Sequence, residues 1–165
     1  MKQVIAMRAI PGSGKSTFAK YIFENTISKN KTSIIVSDDD FFLTNQEYKF
    51  DLTKIEDAHK FCYKNFVQAI TNNIDVVIID NTNLAAWEIS PYKTYSEYSD
   101  YSFHIYQISV EPQIAFNRQK HNVPDKNHKR MSLIFNKEFF PNNWEITKFN
   151  SKTNKDGQPV FEEEI

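Results

Sequence analysis

The residues best equipped for chemistry are Pro11-Gly12-Ser13-Gly14-Lys15-Ser16-Thr17, which follow an apolar run and open a helix-compatible stretch. Gly12 and Gly14 can turn the backbone so that its amides face a ligand with no Cβ in the way. A helix start near Lys15 leaves further amides unpaired, and Lys15 adds a mobile cation. Ser16 can offer its hydroxyl to a Mg²⁺ shared with the nucleotide, and Thr17 a second oxygen near the phosphates. Against the pattern G-x-x-x-x-G-K-[ST], the run from Ala9 to Ser16 matches in its last glycine, its lysine and its hydroxyl but opens with alanine, which a strand-like backbone accepts. This spacing predicts a phosphate cradle for ATP built from residues 11–17.

A cradle alone does not choose between a kinase, an ATPase and a switch, so the acids matter next. Asp38, Asp39 and Asp40 follow the apolar run of Ser33–Ser37. Strand ends converge beside a phosphate-binding turn in this architecture, and a carboxylate there can take the proton of an attacking hydroxyl. Asp39 is the expected base, with Asp38 and Asp40 as alternatives and a solvated, helix-capping cluster as the plain structural account. Adjacent acids repel one another near a triphosphate, so some of the cluster must point away. Asp80 ends the apolar stretch Val76–Ile79 and is expected to support Mg²⁺ with Ser16, or to bind loop amides. Arg118 precedes the basic loop Gln119–Pro124, and its planar fork suits closure over the donor phosphates better than Lys120 or Arg130.

His59 shares an apolar helix face with Ile55, Cys62 and Phe66, so a packed histidine and an acceptor contact are both open readings. Cys62 reads as core, since transfer from such a cradle needs no thiol step. His104, His121 and His128 lack zinc spacing. Trp87 and Tyr92 can serve a base or bury the sheet.

The elements that must hold these groups alternate as strand and helix. Val4–Ala6 reads as a buried strand, Lys15 to about Ile27 as a helix and Ser33–Ser37 as the next strand. Leu43–Phe50 has little period and reads as a loop near the site. Asp51 is placed to cap a helix reaching about Thr71, Ile74–Ile79 forms an inner strand, and a helix within Trp87–Tyr98 begins near Ser90 so that Pro91 falls in its first turn. Phe103–Val110 returns to the sheet, Glu111–Pro112 opens another helix, and Met131–Phe140 extends as a helix until Pro141. Trp144–Phe149 is a short strand or an aromatic anchor. The polar tail Lys152–Gly157 reads as loop, with Val160 and Phe161 able to anchor the end. Together these predict an α/β fold of three layers, the P-loop nucleoside triphosphate hydrolase and kinase type, with a mostly parallel sheet and helices on both faces. The expected division is a catalytic domain over 1–150 and a tail over 151–165.

With 165 residues the chain suits one domain with a sizeable core. A single cysteine and no secretory start point to the reducing cytoplasm, and no apolar segment is long enough for a bilayer. The net charge of -1 gives no global pull toward nucleic acid, but Gln113–Arg130 gathers Arg118, Lys120, Lys126, Lys129 and Arg130 against Asp125. That cluster reads as a solvated face or as a steering surface.

The chain resembles P-loop kinases of the polynucleotide 5'-hydroxyl kinase family over about Val4 to Phe140. The likeness rests on PGSGKST at Pro11–Thr17, SDDDFF at Ser37–Phe42, YKFD at Tyr48–Asp51, AHKFC at Ala58–Cys62, IIDNTNLAAWE at Ile78–Glu88, and RQKHNVP with RM at Arg118–Pro124 and Arg130–Met131. It implies ATP-dependent phosphorylation of a 5'-hydroxyl nucleic acid end, with Asp39 as base, Lys15 and Ser16 at the donor and Arg118 as a lid arginine. Phe42 stands where phage members carry an acceptor-side arginine, and Asn81 where the D-T-N motif carries its aspartate, with Asp80 one residue earlier. Looser relatives phosphorylate antibiotics or nucleotide sugars or act as toxins. A small-molecule acceptor, or an NTPase working through a protein partner, are therefore the competing implications.

Overall fold

The structure, a computed structural model, describes residues 1–44 and 46–165. The chain runs β1 (Gln3–Arg8), α1 (Lys15–Ser28), β2 (Ser33–Val36), a 3₁₀ turn over Asp38–Phe42, and the short strands β3 (Leu43–Thr44) and β4 (Glu47–Tyr48). A second 3₁₀ turn, Leu52–Lys54, leads into α2 (Ile55–Thr71), β5 (Val76–Ile79), α3 (Ala86–Tyr98) and β6 (Ser102–Ser109). The last elements are α4 (Pro112–Arg118), α5 (Asp125–Lys137), β7 (Ile146–Thr153) and β8 (Pro159–Glu163).

Period-two burial sets the layers. On β1, Val4 and Ala6 enter one apolar cluster and Ile5 and Met7 another, and β5 splits in the same way between Val77 with Ile79 and Val76 with Ile78. Both faces are therefore covered. The first cluster takes Cys62 and Phe66 from α2 and Ile89 and Tyr92 from α3, while the second takes Phe18 and Ala19 from α1. The main sheet has the order β2-β5-β1-β6-β7-β8, parallel from β2 through β7 and antiparallel at β8. This is a mostly parallel, doubly covered sheet of the P-loop kinase type. Strand order reverses at β1, whose carboxyl end therefore opens onto a crevice.

Four expectations need adjustment. The α3 helix starts at Ala86, not near Ser90, because the Ala85 amide donates to Glu88 Oε2 at 2.8 Å and the Ala86 amide to Glu138 Oε1 at 2.9 Å. Pro91 thus sits inside the helix, on an exposed face where its missing N–H is least costly. The stretch Leu43–Phe50 contains an antiparallel hairpin, with Leu43 opposite Tyr48; its Asn45 lies outside the described residues. The α5 helix begins at Asp125 and stops at Lys137, short of Phe140. Finally, the boundary expected after residue 150 falls inside β7, and the tail turns at Asn154–Gln158 to pair as β8. Among the described residues, no helix is long and apolar enough to cross a membrane.

Candidate active site

The turn after β1 is built for close approach. Gly12 and Gly14 have φ of 86° and 88°, in the left-handed region that costs glycine little. A Cβ on Gly12 would meet the Ala115 carbonyl oxygen at 1.8 Å, so the backbone of α4 closes the space behind the loop. Behind Gly14 stand Phe161 and Pro159 of β8, at 2.9 and 3.0 Å from a Cβ placed there. Phe161 also stacks on Phe18 of α1 with ring centres 4.6 Å apart. Ser13 is buried, its hydroxyl accepting the Lys15 amide at 3.3 Å. His128, buried on α5, lies with Nε2 2.8 Å from the Pro11 carbonyl; a carbonyl only accepts, so that nitrogen carries the hydrogen.

Lys15 and Ser16 meet Asp80 at the tip of β5. The ammonium is 2.6 Å from Oδ1 and the Ser16 hydroxyl donates to Oδ2 at 2.8 Å. The site loop beyond Asp80 is tied down: the Asn83 amide group donates to the Met7 carbonyl at 2.8 Å, and the Ala9 amide to the Thr82 carbonyl at 3.0 Å. Asn81 bridges two elements, accepting the Asp38 amide at 2.8 Å and donating to Cys62 Sγ at 3.4 Å. Burial pushes the Cys62 thiol up to about 12, which suits a core side chain and not a nucleophile.

The acids at 38–40 diverge. Ser37 caps their turn by accepting the Asp39 amide at 3.2 Å. Asp38 turns to α2, its Oδ2 2.6 Å from His59 Nδ1, and that bond holds the imidazole pKa above its ordinary value. Asp39 accepts the Tyr48 hydroxyl on Oδ1 at 3.1 Å, and His121 Nε2 stands 3.6 Å from Oδ2. The Tyr48 and His121 rings lie 4.2 Å apart, so the β3–β4 hairpin and the loop after α4 meet over Asp39. Burial raises the Asp40 pKa, and repulsion from Asp39 and Asp80 adds to it, in keeping with the Asp38–Asn81 bond that ties this turn to the residue after Asp80.

Phe41 and Phe42 supply an aromatic wall on the same turn, Phe41 against Phe61 at 5.7 Å and Phe42 against Phe50 at 5.1 Å between ring centres. Arg118 is engaged by β7. Its guanidinium donates to Ser151 Oγ at 3.1 Å and to Thr153 Oγ1, both on β7. The structure thus brings Lys15, Ser16 and Asp80 together with the acids of 38–40 close by, while Arg118, three residues after the Ala115 that backs Gly12, is tied to Thr153, the β7 partner of the Pro159 that backs Gly14.

Four residues escaped the sequence reading of the site. Arg8 ends β1 fully buried, donating to the Leu84 carbonyl at 3.1 and 2.7 Å, to Gln107 Oε1 at 2.7 Å and to the Phe135 carbonyl at 3.0 Å. Burial lowers its pKa to about 10, and the Phe135 and Phe140 rings flank it at 4.4 and 4.7 Å. Its partners lie far along the chain, so only an arginine closing an apolar run hinted at it. Tyr48 and His121 stand in the YKFD and RQKHNVP stretches, but nothing in those stretches aims them at Asp39, and His128 gives no signal beyond its side-chain type.

The donor set suits ATP with Mg²⁺. A glycine turn that no Cβ could enter leaves amides free to face phosphate, and Ser16 with the Asp80 carboxylate offers the sparse hard oxygens this ion takes alongside water. Among the described residues there is no cluster of histidine, cysteine and acids dense enough for an all-protein metal cage.

Comparison with known proteins places these features in a wider group. A chain of the Pnkp1/Rnl/Hen1 RNA repair complex superposes with a TM-score of 0.63 at 19% identity, over 82% of this chain and 44% of that one. Kti12 of Chaetomium thermophilum, solved with ADP-AlF3, gives 0.66 at 13% identity, over 93% of this chain and 92% of that one. Human NEDD4-binding protein 2 is 38% identical over 98 residues, which cover 59% of this chain but only 5% of that protein's length. The AAA_33 family model, an AAA domain, matches residues 4–132, a span that runs from β1 through the glycine turn, the acids at 38–40, Asp80 and Arg118 into α5. On that match the chain belongs to the AAA_33 family, with the P-loop kinase-like fold.

Proposed function

We propose that this protein is an ATP-dependent phosphotransferase that phosphorylates the 5'-hydroxyl end of RNA or DNA, with Asp39 as general base. One observation carries the reading: Tyr48 holds Asp39 while Asp38 is turned to His59, on a turn tied by the Asp38 amide to Asn81, the neighbour of the Asp80 that pairs with Lys15. A base so held can orient a hydroxyl toward the end of a bound triphosphate.

Residues 11–17 bind the donor phosphates through backbone amides, and Lys15 moves from Asp80 onto the β- and γ-phosphates when they arrive. Ser16 and Asp80 would hold Mg²⁺, which when bound neutralises charge on the transferring oxygens. The acceptor hydroxyl gives its proton to Asp39, its oxygen bonds to the γ-phosphorus, the bond to the β–γ bridging oxygen breaks, and ADP leaves. Arg118 leaves Ser151 and Thr153 to stabilise the developing charge from the lid side. The reaction belongs in the cytoplasm, where ATP is present and Cys62 stays reduced. The RNA repair complex among the fold neighbours supports the nucleic-acid acceptor, as do the family motifs around Asp39 and Asp80.

A second reading has its own support. Tyr48 and His121 roof Asp39, and a roofed base suits a small alcohol or nucleotide acceptor. The deciding experiment incubates the purified protein with labelled ATP, Mg²⁺ and matched 5'-hydroxyl RNA, DNA, nucleosides and small alcohols. Labelled oligonucleotide supports the first reading. Robust labelling of a small alcohol with none of any oligonucleotide rejects it.

A further inference from the structure

The α5 helix has two unlike faces. His128 and Ser132 are buried, and Met131 and Phe135 pack against the cluster of Ile10, Leu84 and Ala115. On the opposite side Lys126, Arg130, Leu133 and Lys137 recur at helical spacing, so they form one stripe, and all four are exposed.

The stripe is fixed relative to the site. His128 holds the Pro11 carbonyl at 2.8 Å, Arg8 donates to the Phe135 carbonyl at 3.0 Å, and Glu138, just past the helix, accepts the Ala86 amide at 2.9 Å. One end of α5 is thereby tied to the phosphate-binding turn and the other to the start of α3.

It also begins beside the proposed base. Gln119 and Val123 bond each other twice, the side-chain oxygen accepting the Val123 amide at 2.7 Å and the side-chain nitrogen donating to the Val123 carbonyl at 2.9 Å. The turn they close holds Lys120 next to His121, whose Nε2 stands 3.6 Å from Asp39 Oδ2. Lys126 follows His121 by five residues, a reach of at most about 18 Å.

Charge along this path is one-sided. From Gln113 to Lys137 the sole acid is Asp125, and it pairs with Lys129 at 3.0 Å. Glu111 is committed to the Gln113 and Ile114 amides, and Glu138 to that of Ala86. Lys120, Lys126, Arg130 and Lys137 make no ion pair among the described residues. Cations spaced along a fixed line complement the repeating charge of a phosphodiester backbone, where a compact anion would need them gathered at one point.

We propose that Lys120 and the outer face of α5 hold the backbone phosphates of the single strand that follows the 5'-hydroxyl end. The inference rests on the nucleic-acid reading of the acceptor given above. From Lys126 to Lys137 the helix rises about 16 Å, which at roughly 3.4 Å per nucleotide spans about five phosphates. Contacts of this kind set the position of the strand without reading its sequence.

The test follows binding of a labelled single-stranded 5'-hydroxyl decamer by fluorescence anisotropy across a salt series, with transfer kinetics on acceptors from dimer to dodecamer. Four phosphate contacts predict a slope of log affinity against log salt of about -2.8 in wild type, and Lys126→Gln with Lys137→Gln should make it shallower by about 1.4. That difference reads as a loss of affinity of about 25-fold for each tenfold drop in salt, while ADP affinity stays at the wild-type level and reports an intact fold. Wild-type kcat/KM should rise with acceptor length and level off by about ten nucleotides, and uncharged methylphosphonate linkages in the second to sixth positions should abolish the rise. An unchanged slope in the double variant, or a length gain that survives the uncharged linkages, overturns the track even though transfer proceeds, and leaves the stripe as solvated surface. Transfer to no oligonucleotide at all overturns the underlying reading instead, and the track falls with it.

Discussion

Tyr48 donates its hydroxyl to Asp39 at 3.1 Å, so a hairpin between two 3₁₀ turns fixes the orientation of the carboxylate proposed as base. Asp39→Asn should retain nucleotide binding and lower kcat by about 100- to 10,000-fold, the range for removing a general base. Tyr48→Phe removes one hydrogen bond to a charged group and should cost about 10-fold in kcat. Burial and the nearby Asp39 raise the Tyr48 pKa far above its ordinary value, so the phenol keeps its proton through the neutral and mildly alkaline range. The Tyr48→Phe deficit should accordingly be the same at pH 6 and pH 9, as read from paired pH–rate profiles; a deficit that vanishes at pH 9 would contradict the bond.

Lys15 and Asp80 form a largely buried pair at 2.6 Å. Removing the lysine leaves the carboxylate with Ser16 alone, so Lys15→Ala should lower the stability of the nucleotide-free protein by about 3 kcal/mol, whereas Asp80→Asn should cost less. Urea titration measures this directly. The melting temperature of wild type should also rise with ADP and Mg²⁺, and that rise should shrink in Lys15→Ala.

His59 carries a pH-dependent part of stability. Its hydrogen bond to Asp38, with help from the charges of Asp38 and Glu88, raises the folded-state pKa above the ordinary 6.5 despite partial burial. The stabilisation is therefore fully present below about pH 6.5 and is lost as pH rises through the higher folded value. Denaturation midpoints measured from pH 5.5 to pH 8.5 should fall for wild type and be flatter for His59→Gln. Parallel curves for the two proteins would remove the assignment.

Arg8 locks the carbonyl that ends the site loop. Arg8→Ala would strand the buried Leu84 carbonyl and leave the half-buried Phe135 carbonyl and Gln107 short of a donor, at a cost of about 3 kcal/mol, and Arg8→Lys should not restore it because one ammonium cannot span partners set around a planar fork. Thermal unfolding of the three proteins checks the order, with both variants expected well below wild type.

Much of this arrangement could be read from local sequence because the chemistry there is local. The phosphate-binding turn shows in adjacent residues, and Asp80 shows because four apolar residues lead straight into it. Distance in the chain hid the rest. His128 reaches Pro11 from 117 positions away and Arg8 reaches Phe135 from 127, and no periodicity encodes such pairings. The α3 start is not legible locally because its caps are Glu88 and Glu138, the second supplied by tertiary structure. The β3–β4 pair and the strand β8 are hidden for a related reason: short, polar strands carry too few apolar residues to alternate visibly.

Because β8 lies behind Gly14 and Phe161 leans on Phe18, the final strand acts as a strut for the triphosphate loop. Nicking the turn at Asn154–Gln158, or grafting bulk onto it, should therefore register first as weaker nucleotide affinity, before any loss of helical signal. Donor binding becomes a gauge of whether the carboxyl-terminal strands are seated.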